Sequence, residues 1–417
     1  MYAYLYREHP LQADGLGYAQ AAKWFADGKG FLNPLNAIFG DPNVPDATHP
    51  PMWTIVLAVP AKLGIRSNFS FQVFAALIGS GTVALTGLAA REAFGRRIGL
   101  IAAGLVCLYP GIWLYERELF AESLSMFMVA LFIWLVYRFR RRPGIVPALT
   151  MGLALGVAAL TRSELIAMSV LVVTPLYLGT RSVSWGRRVG WLAMTAAVTV
   201  AVISPWFLYN RTRFSEPVPL SVGLGATMAA GNCGPTYDGE RIGYYHFGCV
   251  ILAKNISPDA SVADGQFRSL ALKYITQHKA GFVKVAAIRL GRTFSVYDPI
   301  GQREFEAERG SQLWVLTAAL LAWWVLVPFA VWGFVVARRR KVPVYPLGMF
   351  FVLAVVAVIP TIGAVRYRAP AEIAFVVLAA VGIDAVARAL ARRREQGDEV
   401  GDDETSTPDP PREVATV

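Results

Sequence analysis

The groups in this sequence with the most chemistry to offer are carboxylates and guanidinium groups set against apolar runs. Glu122 lies inside the start of a strongly apolar segment, where an ionisable group is expensive to keep without a partner or a function. Glu118 stands four residues earlier, so on a helix the two carboxylates share one face and can look into one cavity. Pairing of Glu118 or Glu116 with Arg117 or Arg162 is the plainer alternative. Arg366 and Arg368 flank Tyr367 ahead of the last apolar run, where a planar guanidinium suits bidentate recognition of a phosphate. Snorkelling of two long side chains at an interface would also account for them. Nearer the N-terminus, Asp14 and Tyr18 open an amphipathic stretch that Gly28 and Gly30 close. Asp14 is then either a helix-start acid favoured by the dipole or a general base at a membrane surface. His49 precedes Pro50 and Pro51, as a solvated loop histidine or a ligand contact.

The elements that must position these groups are membrane helices. The chain has 417 residues, 55% of them hydrophobic, with a mean hydropathy of +0.44, which excludes a soluble enzyme of this size. The net charge of +11 does not indicate nucleic acid, because the arginines sit between apolar runs rather than interleaved with aromatics. Three cysteines without metal-ligand spacing argue against thiolate metal chemistry, and a Cys233–Cys249 disulfide is permitted but not dictated.

Nine apolar runs are candidate spans: 71–91, 98–115, 119–137, 145–160, 165–179, 189–209, 313–337, 344–362 and 370–390, of which the fourth and fifth are short. Basic clusters follow alternate spans, around Arg96, Arg140, Arg187, Arg339 and Arg393, and the positive-inside rule makes these ends cytoplasmic. The predicted organisation is a first outer loop over 1–70, core helices over 71–209, a long outer loop over 210–312, C-terminal helices over 313–390 and a disordered cytoplasmic tail over 391–417. The run 50–64 is too short and too broken by Pro60 to cross, and reads as an interfacial helix. Within the long loop, 263–278 reads as a helix and 281–297 as a basic amphipathic element on the membrane. The fold class is therefore an all-α polytopic membrane protein in the plasma membrane, with its polar groups gathered on the outer face.

These features in their order resemble the GT-C superfamily of polyprenyl-phosphate-sugar glycosyltransferases, nearest to the bacterial branch of protein O-mannosyltransferases and aminoarabinose transferases. The resemblance rests on the acid and tyrosine of 14–18, Gly28 to Phe31, His49-Pro50-Pro51, Phe94 to Arg97, Ala121-Glu122-Ser123, Leu160-Thr161-Arg162, Pro205-Trp206 and Asn210-Arg211. It implies a GT-C-like helical bundle and a catalytic role for Asp14, supported by Glu122 or else Glu118. His49, Tyr18, Arg162, Arg366 and Arg368 would contact sugar or phosphate. It also implies that a first membrane helix normally precedes the loop that opens this sequence, so the expectation is a natural start upstream of Met1.

The implied reaction is transfer of a sugar from a polyprenyl phosphate to a hydroxyl on a glycan, lipid or protein acceptor, with inversion at the anomeric carbon. No metal site is assigned, although a divalent metal is possible if Asp14, Glu118, Glu122 and His49 converge. The rivals are a transporter or lipid flippase, since acids and arginines also mark transport paths, and a catalytically dead scaffold.

Overall fold

The computed structural model describes residues 11, 13–34, 36, 41, 43–308 and 310–404. All nine apolar runs are largely helical, but among the described residues five helices are long and apolar enough to cross a membrane: Asn68–Phe94 (α3), Glu122–Arg141 (α6), Trp185–Asn210 (α9), Leu313–Arg339 (α16) and the last helix, counted over Val365–Arg393. A sixth crossing is available from Arg96–Leu108 (α4) and Pro110–Glu118 (α5), which meet at a bend of 46°. The bend falls at Pro110, which has no N–H to continue the ladder and whose ring disfavours a helical residue before it.

Ile145–Ala159 (α7) and the 163–178 segment are short, as their sequences suggest. The latter passes from a 3-10 turn through one π turn into Thr174–Leu178 (α8), and the π turn lies just ahead of Pro175. The eighth predicted span is shorter than its apolar run. Tyr345–Val358 (α17) stops ahead of Pro360, which biases the residue before it out of the helical region.

The short helices Ala13–Ala26 (α1) and Met52–Lys62 (α2) precede this bundle and pack on one another. The long loop is itself folded into Leu224–Gly231 (α10), Gly234–Tyr237 (α11), Gly248–Ile251 (α12), Ala260–Gln277 (α13), Lys279–Thr293 (α14) and Pro299–Ala307 (α15). Cys233 and Cys249 are joined by a disulfide. Asp259 caps α13 and also accepts from the backbone N–H and hydroxyl of Ser215. Arg289, fully buried, donates to the carbonyls of Gly231 and Ile359 and so ties the loop to the end of α17. Burial pushes its pKa down to about 10.

The last helix, Ala369–Glu404 (α18), is the central one, and Ile373, Val377 and Val381 on it are wholly buried. It crosses α16 where Gly333 and Gly382 face each other. A Cβ on Gly333 would sit 1.9 Å from the Leu378 carbonyl oxygen, so only glycine permits this approach. α18 continues through Arg392 and Arg393 to Glu404, over the first residues of the segment read from the sequence as a tail. Residues 405–417 lie outside the described residues.

The ends of the bundle have distinct chemistry. Asp384, fully buried, meets Arg97 at 2.8 Å, Arg388 at 2.9 Å and Arg340 at 3.9 Å, which gathers the basic clusters of α4, α16 and α18 at one end. Arg141 on α6 reaches Glu92 on α3 at 3.2 Å at the same end. Glu122, at the other terminus of the 20-residue α6, is about 30 Å away.

Candidate active site

Local backbone geometry places the acids at this opposite end. α1 starts at Ala13, so Asp14 sits inside its first turn, where the free N–H groups favour negative charge. Gly15 lets this turn lie directly on the end of α5, where a Cβ would come within 2.0 Å of the Glu118 carbonyl oxygen. The chain then leaves α5 through Leu119, whose φ of 54° and ψ of 34° are left-handed, a conformation that costs a non-glycine residue about 1 kcal/mol or more. The indole of Trp53 donates to the Leu119 carbonyl at 2.7 Å, and the Gln72 amide donates to the Arg117 carbonyl at 2.9 Å. These two bonds hold the strained turn, and α6 restarts at Glu122 with that side chain 1% exposed.

Four chain segments meet there as a ladder of charges. Arg366 Nη1 lies 2.7 Å from Asp14 Oδ2, and its Nε lies 3.0 Å from Glu122 Oε1. The second contact is an ionic approach rather than an aimed hydrogen bond, because the Nε–H is not directed at that oxygen. Arg162 Nη1 reaches the same Glu122 oxygen at 2.5 Å, while its Nε reaches Glu164 at 2.5 Å. Phe120 underlies Arg366 at 5.1 Å and Tyr367 underlies Arg162 at 5.7 Å. Burial works against the charge on Arg162, but Glu164 and Glu122 outweigh it and raise its pKa. Tyr18 lies beside His49, with ring centroids 5.1 Å apart and planes tilted by 36°. Burial first, then the nearby Asp14 and Glu122, push the Tyr18 phenol well above its usual range, so it stays neutral.

Residues 48–209 match the family model for dolichyl-phosphate-mannose-protein mannosyltransferases. Among solved structures, the oligosaccharyltransferase of Archaeoglobus fulgidus in complex with Zn and sulfate aligns over 92% of this chain at 16% identity and a TM-score of 0.52. The same organism's oligosaccharyltransferase AglB, in complex with an inhibitory peptide and a dolichol-phosphate, aligns over 94% at 15% identity and 0.51. The chain has the GT-C fold. It spans less than half the length of these archaeal chains, 46% and 48% respectively. ArnT from Cupriavidus metallidurans bound to undecaprenyl phosphate aligns over 90% of this chain and 75% of its own, at 17% identity and a TM-score of 0.41. No curated protein matches the sequence.

Within the GT-C fold the ladder takes in Asp14, Glu122, Arg162 and Arg366, with Tyr18 and His49 beside it, but two expected members stand apart. Glu118 turns away and pairs with Arg117 at 3.1 Å, both side chains 1% exposed. The left-handed Leu119 breaks the helix between Glu118 and Glu122, so the four-residue spacing no longer puts them on one face. Arg368 is also committed elsewhere: its Nε reaches Glu372 at 2.6 Å, its Nη1 donates to the Thr293 carbonyl and the Ser295 hydroxyl, and its plane lies 3.7 Å from the Trp323 ring centre.

Arg366 and Arg368 nevertheless line one cavity, together with Phe120, Gln302, Arg303 and Glu306. Its volume of about 50 Å³ holds a few waters and not a sugar phosphate. The residues do not fit a divalent cation. Arg366 bridges Asp14 and Glu122 where such an ion would have to sit, and no cluster of three metal-ligating side chains occurs among the described residues.

Sequence reasoning missed Gly15, Leu119 and Trp53, which position the ladder. Only the Asp-Gly pair at 14–15 carried a local signal, as a place where backbone approaches closely.

Proposed function

We propose that this chain moves a sugar from a polyprenyl-phosphate donor onto a hydroxyl of a glycan, lipid or protein acceptor, with inversion, at the outer face of the plasma membrane. The observation that carries this reading is the Asp14–Arg366 contact at 2.7 Å, a partly exposed acid and a phosphate-binding group joined at one end of a GT-C fold. The dolichol-phosphate held by archaeal AglB, alongside its inhibitory peptide, favours a lipid-phosphate donor. The ladder's position opposite the arginine clusters favours the outer face, and so does a disulfide in the loop that caps the same end.

In this mechanism the acceptor oxygen attacks the anomeric carbon, and the bond from that carbon to the phosphate oxygen breaks with its electron pair. Polyprenyl phosphate leaves without needing a proton, and Asp14 takes the proton of the acceptor hydroxyl. Arg366 is the donor phosphate's first partner. As the phosphate draws Arg366 away, Asp14 loses its counter-charge and becomes a better base. Glu122 and Arg162 hold Arg366 in reach, while His49 and Tyr18 face the sugar. Glu118 and Arg368 act from behind, through the Leu119 turn and the cavity wall.

The test incubates membranes containing the chain with a panel of labelled polyprenyl-phosphate sugars and follows transfer to acceptor and the anomeric configuration of the product. Transfer with inverted configuration, lost in Asp14→Asn with expression retained, is the expected result. Unchanged transfer in Asp14→Asn would overturn the assignment of the base. Direct use of nucleotide sugars, or movement of the lipid without transfer, would overturn the reaction.

A further inference from the structure

A second recess lies at the arginine-rich end, far from the ladder. It is a groove of about 880 Å³ between the end of α6, the turn into α7 and the start of α9. Arg138, Arg142 and Arg187 line it together with Trp134, Val146 and Trp191. Among the described residues none of the three arginines pairs with a carboxylate, whereas the adjacent Arg141 reaches Glu92 at 3.2 Å. Arg138 lies 5.2 Å over the Trp134 ring, which holds its guanidinium on the groove wall. The far wall is fixed by Arg188, which donates to the carbonyls of Val183 at 3.0 Å and Leu178 at 2.9 Å. Ile145 and Val146 are 58% and 69% exposed at the start of the apolar α7, so the groove opens sideways onto the hydrocarbon boundary.

Three cations without a carboxylate partner among the described residues, above an apolar wall with two tryptophans, match one kind of ligand, an anionic headgroup carrying acyl chains. A soluble phosphate would leave the apolar wall unused, and a zwitterionic lipid would bring its own cation against the arginines. We propose that this groove binds one anionic glycerophospholipid from the leaflet at that end. Its phosphate lies among Arg138, Arg142 and Arg187, and its chains run along Ile145, Val146 and Trp191. The volume accommodates a headgroup with the upper part of two chains.

The test titrates the purified, delipidated full chain with phosphatidylglycerol, phosphatidylcholine and glycerol 3-phosphate, and reads bound lipid by native mass spectrometry. One phosphatidylglycerol binds, about a hundredfold tighter than phosphatidylcholine, and glycerol 3-phosphate does not displace it. Combined Arg138→Gln, Arg142→Gln and Arg187→Gln loses about the same factor, while Arg392→Gln with Arg393→Gln, at the same end but outside the groove, does not. Val146→Trp fills the groove without altering charge and also weakens binding, which keeps the test sharp if the triple variant misfolds. Equal affinity for the two lipids, or undiminished binding in Val146→Trp and in the triple variant, overturns the proposal. Binding of glycerol 3-phosphate as tight as that of the lipid overturns it in favour of a soluble phosphate.

Discussion

The two ends of the bundle both set carboxylates among arginines, yet with opposite exposure. At the basic end Asp384 is 0% exposed while Arg97 and Arg388 are 57% and 50% exposed, so the acid is fixed and its partners snorkel to water. At the ladder Asp14 is 27% exposed while Arg366 and Arg162 are 13% and 11% exposed, so the cations are fixed and the acid reaches out. A charge cluster becomes a reaction centre when the exposed member is the one with chemistry to perform. Among the described residues Asp384 pairs with arginines from three helices and is sealed from water, whereas Asp14 is open to it and, on the proposed reading, to an acceptor hydroxyl.

The sharpest way to break this comparison is to neutralise one acid at each end. Asp14→Asn should lower transfer by about 10²–10⁴-fold with little change in thermal stability, the size expected for removal of a general base. Asp384→Asn should retain transfer and lose stability, because it leaves three arginines without their shared partner. If the two substitutions gave the same profile in paired activity and melting measurements, the division between ends would fail. Next in size is Glu122→Gln, which takes from Arg366 and Arg162 the carboxylate they share and leaves each with one partner, Asp14 and Glu164. A buried charge left with no partner costs about 3–5 kcal/mol, so this variant should lose part of that amount in stability, read as a lower melting temperature, and transfer with it. Glu118→Gln should leave transfer the better preserved, since Glu118 meets Arg117 and not the ladder.

How much of this was readable in the sequence follows from the range of each interaction. The gathering of arginines at one end was legible because their clusters recur at every second apolar run, and the need of Glu122 and Arg366 for partners was legible because charge beside a long apolar run is costly wherever the chain goes. The choice between Glu118 and Glu122 was not. A spacing of four promises a shared face only on a continuous helix, and Leu119 leaves the helical region for reasons that lie in Trp53 and Gln72. Arg368 was hidden similarly: the 3-10 turn Val365–Arg368 sends residues two apart to different sides, one to the ladder and one to Glu372. Arg289 carries no pattern at all, because carbonyls from two distant helix ends serve as its partners.

A smaller effect should come from Gly15→Ala, which touches no charge. The new Cβ would collide with the Glu118 carbonyl, and a forced shift of this kind costs about 1–3 kcal/mol and displaces Asp14 from Arg366. Transfer should fall by up to about a hundredfold, less than in Asp14→Asn, with expression maintained. Gly17→Ala, where a Cβ meets nothing within 4 Å, is its control. Equal activity in the two variants would show that the close seat of α1 does not set the ladder.

The smallest predicted effect belongs to a third carboxylate, Asp259, in the outer loop. Burial alone would raise its pKa, but hydrogen bonds from Ser261 and Ser215 hold it well below the ordinary value of 3.8. An acid with a depressed folded pKa contributes stability that is fully present above its unfolded value and is lost as pH falls through the folded one. The clasp between α13 and Ser215 is therefore intact at neutral pH and weakens only below about 3.8. Asp259→Ala should lower stability by about 1 kcal/mol at neutral pH, the usual worth of a helix cap, and the gap from the parent should close as the medium is acidified. Transfer should change less than stability, because the clasp anchors the cap and does not touch the ladder. A gap that stays constant from neutral to strongly acid pH would mean that the cap is held by packing alone, leaving the charges of the ladder and of Asp384 as the ones on which this fold depends.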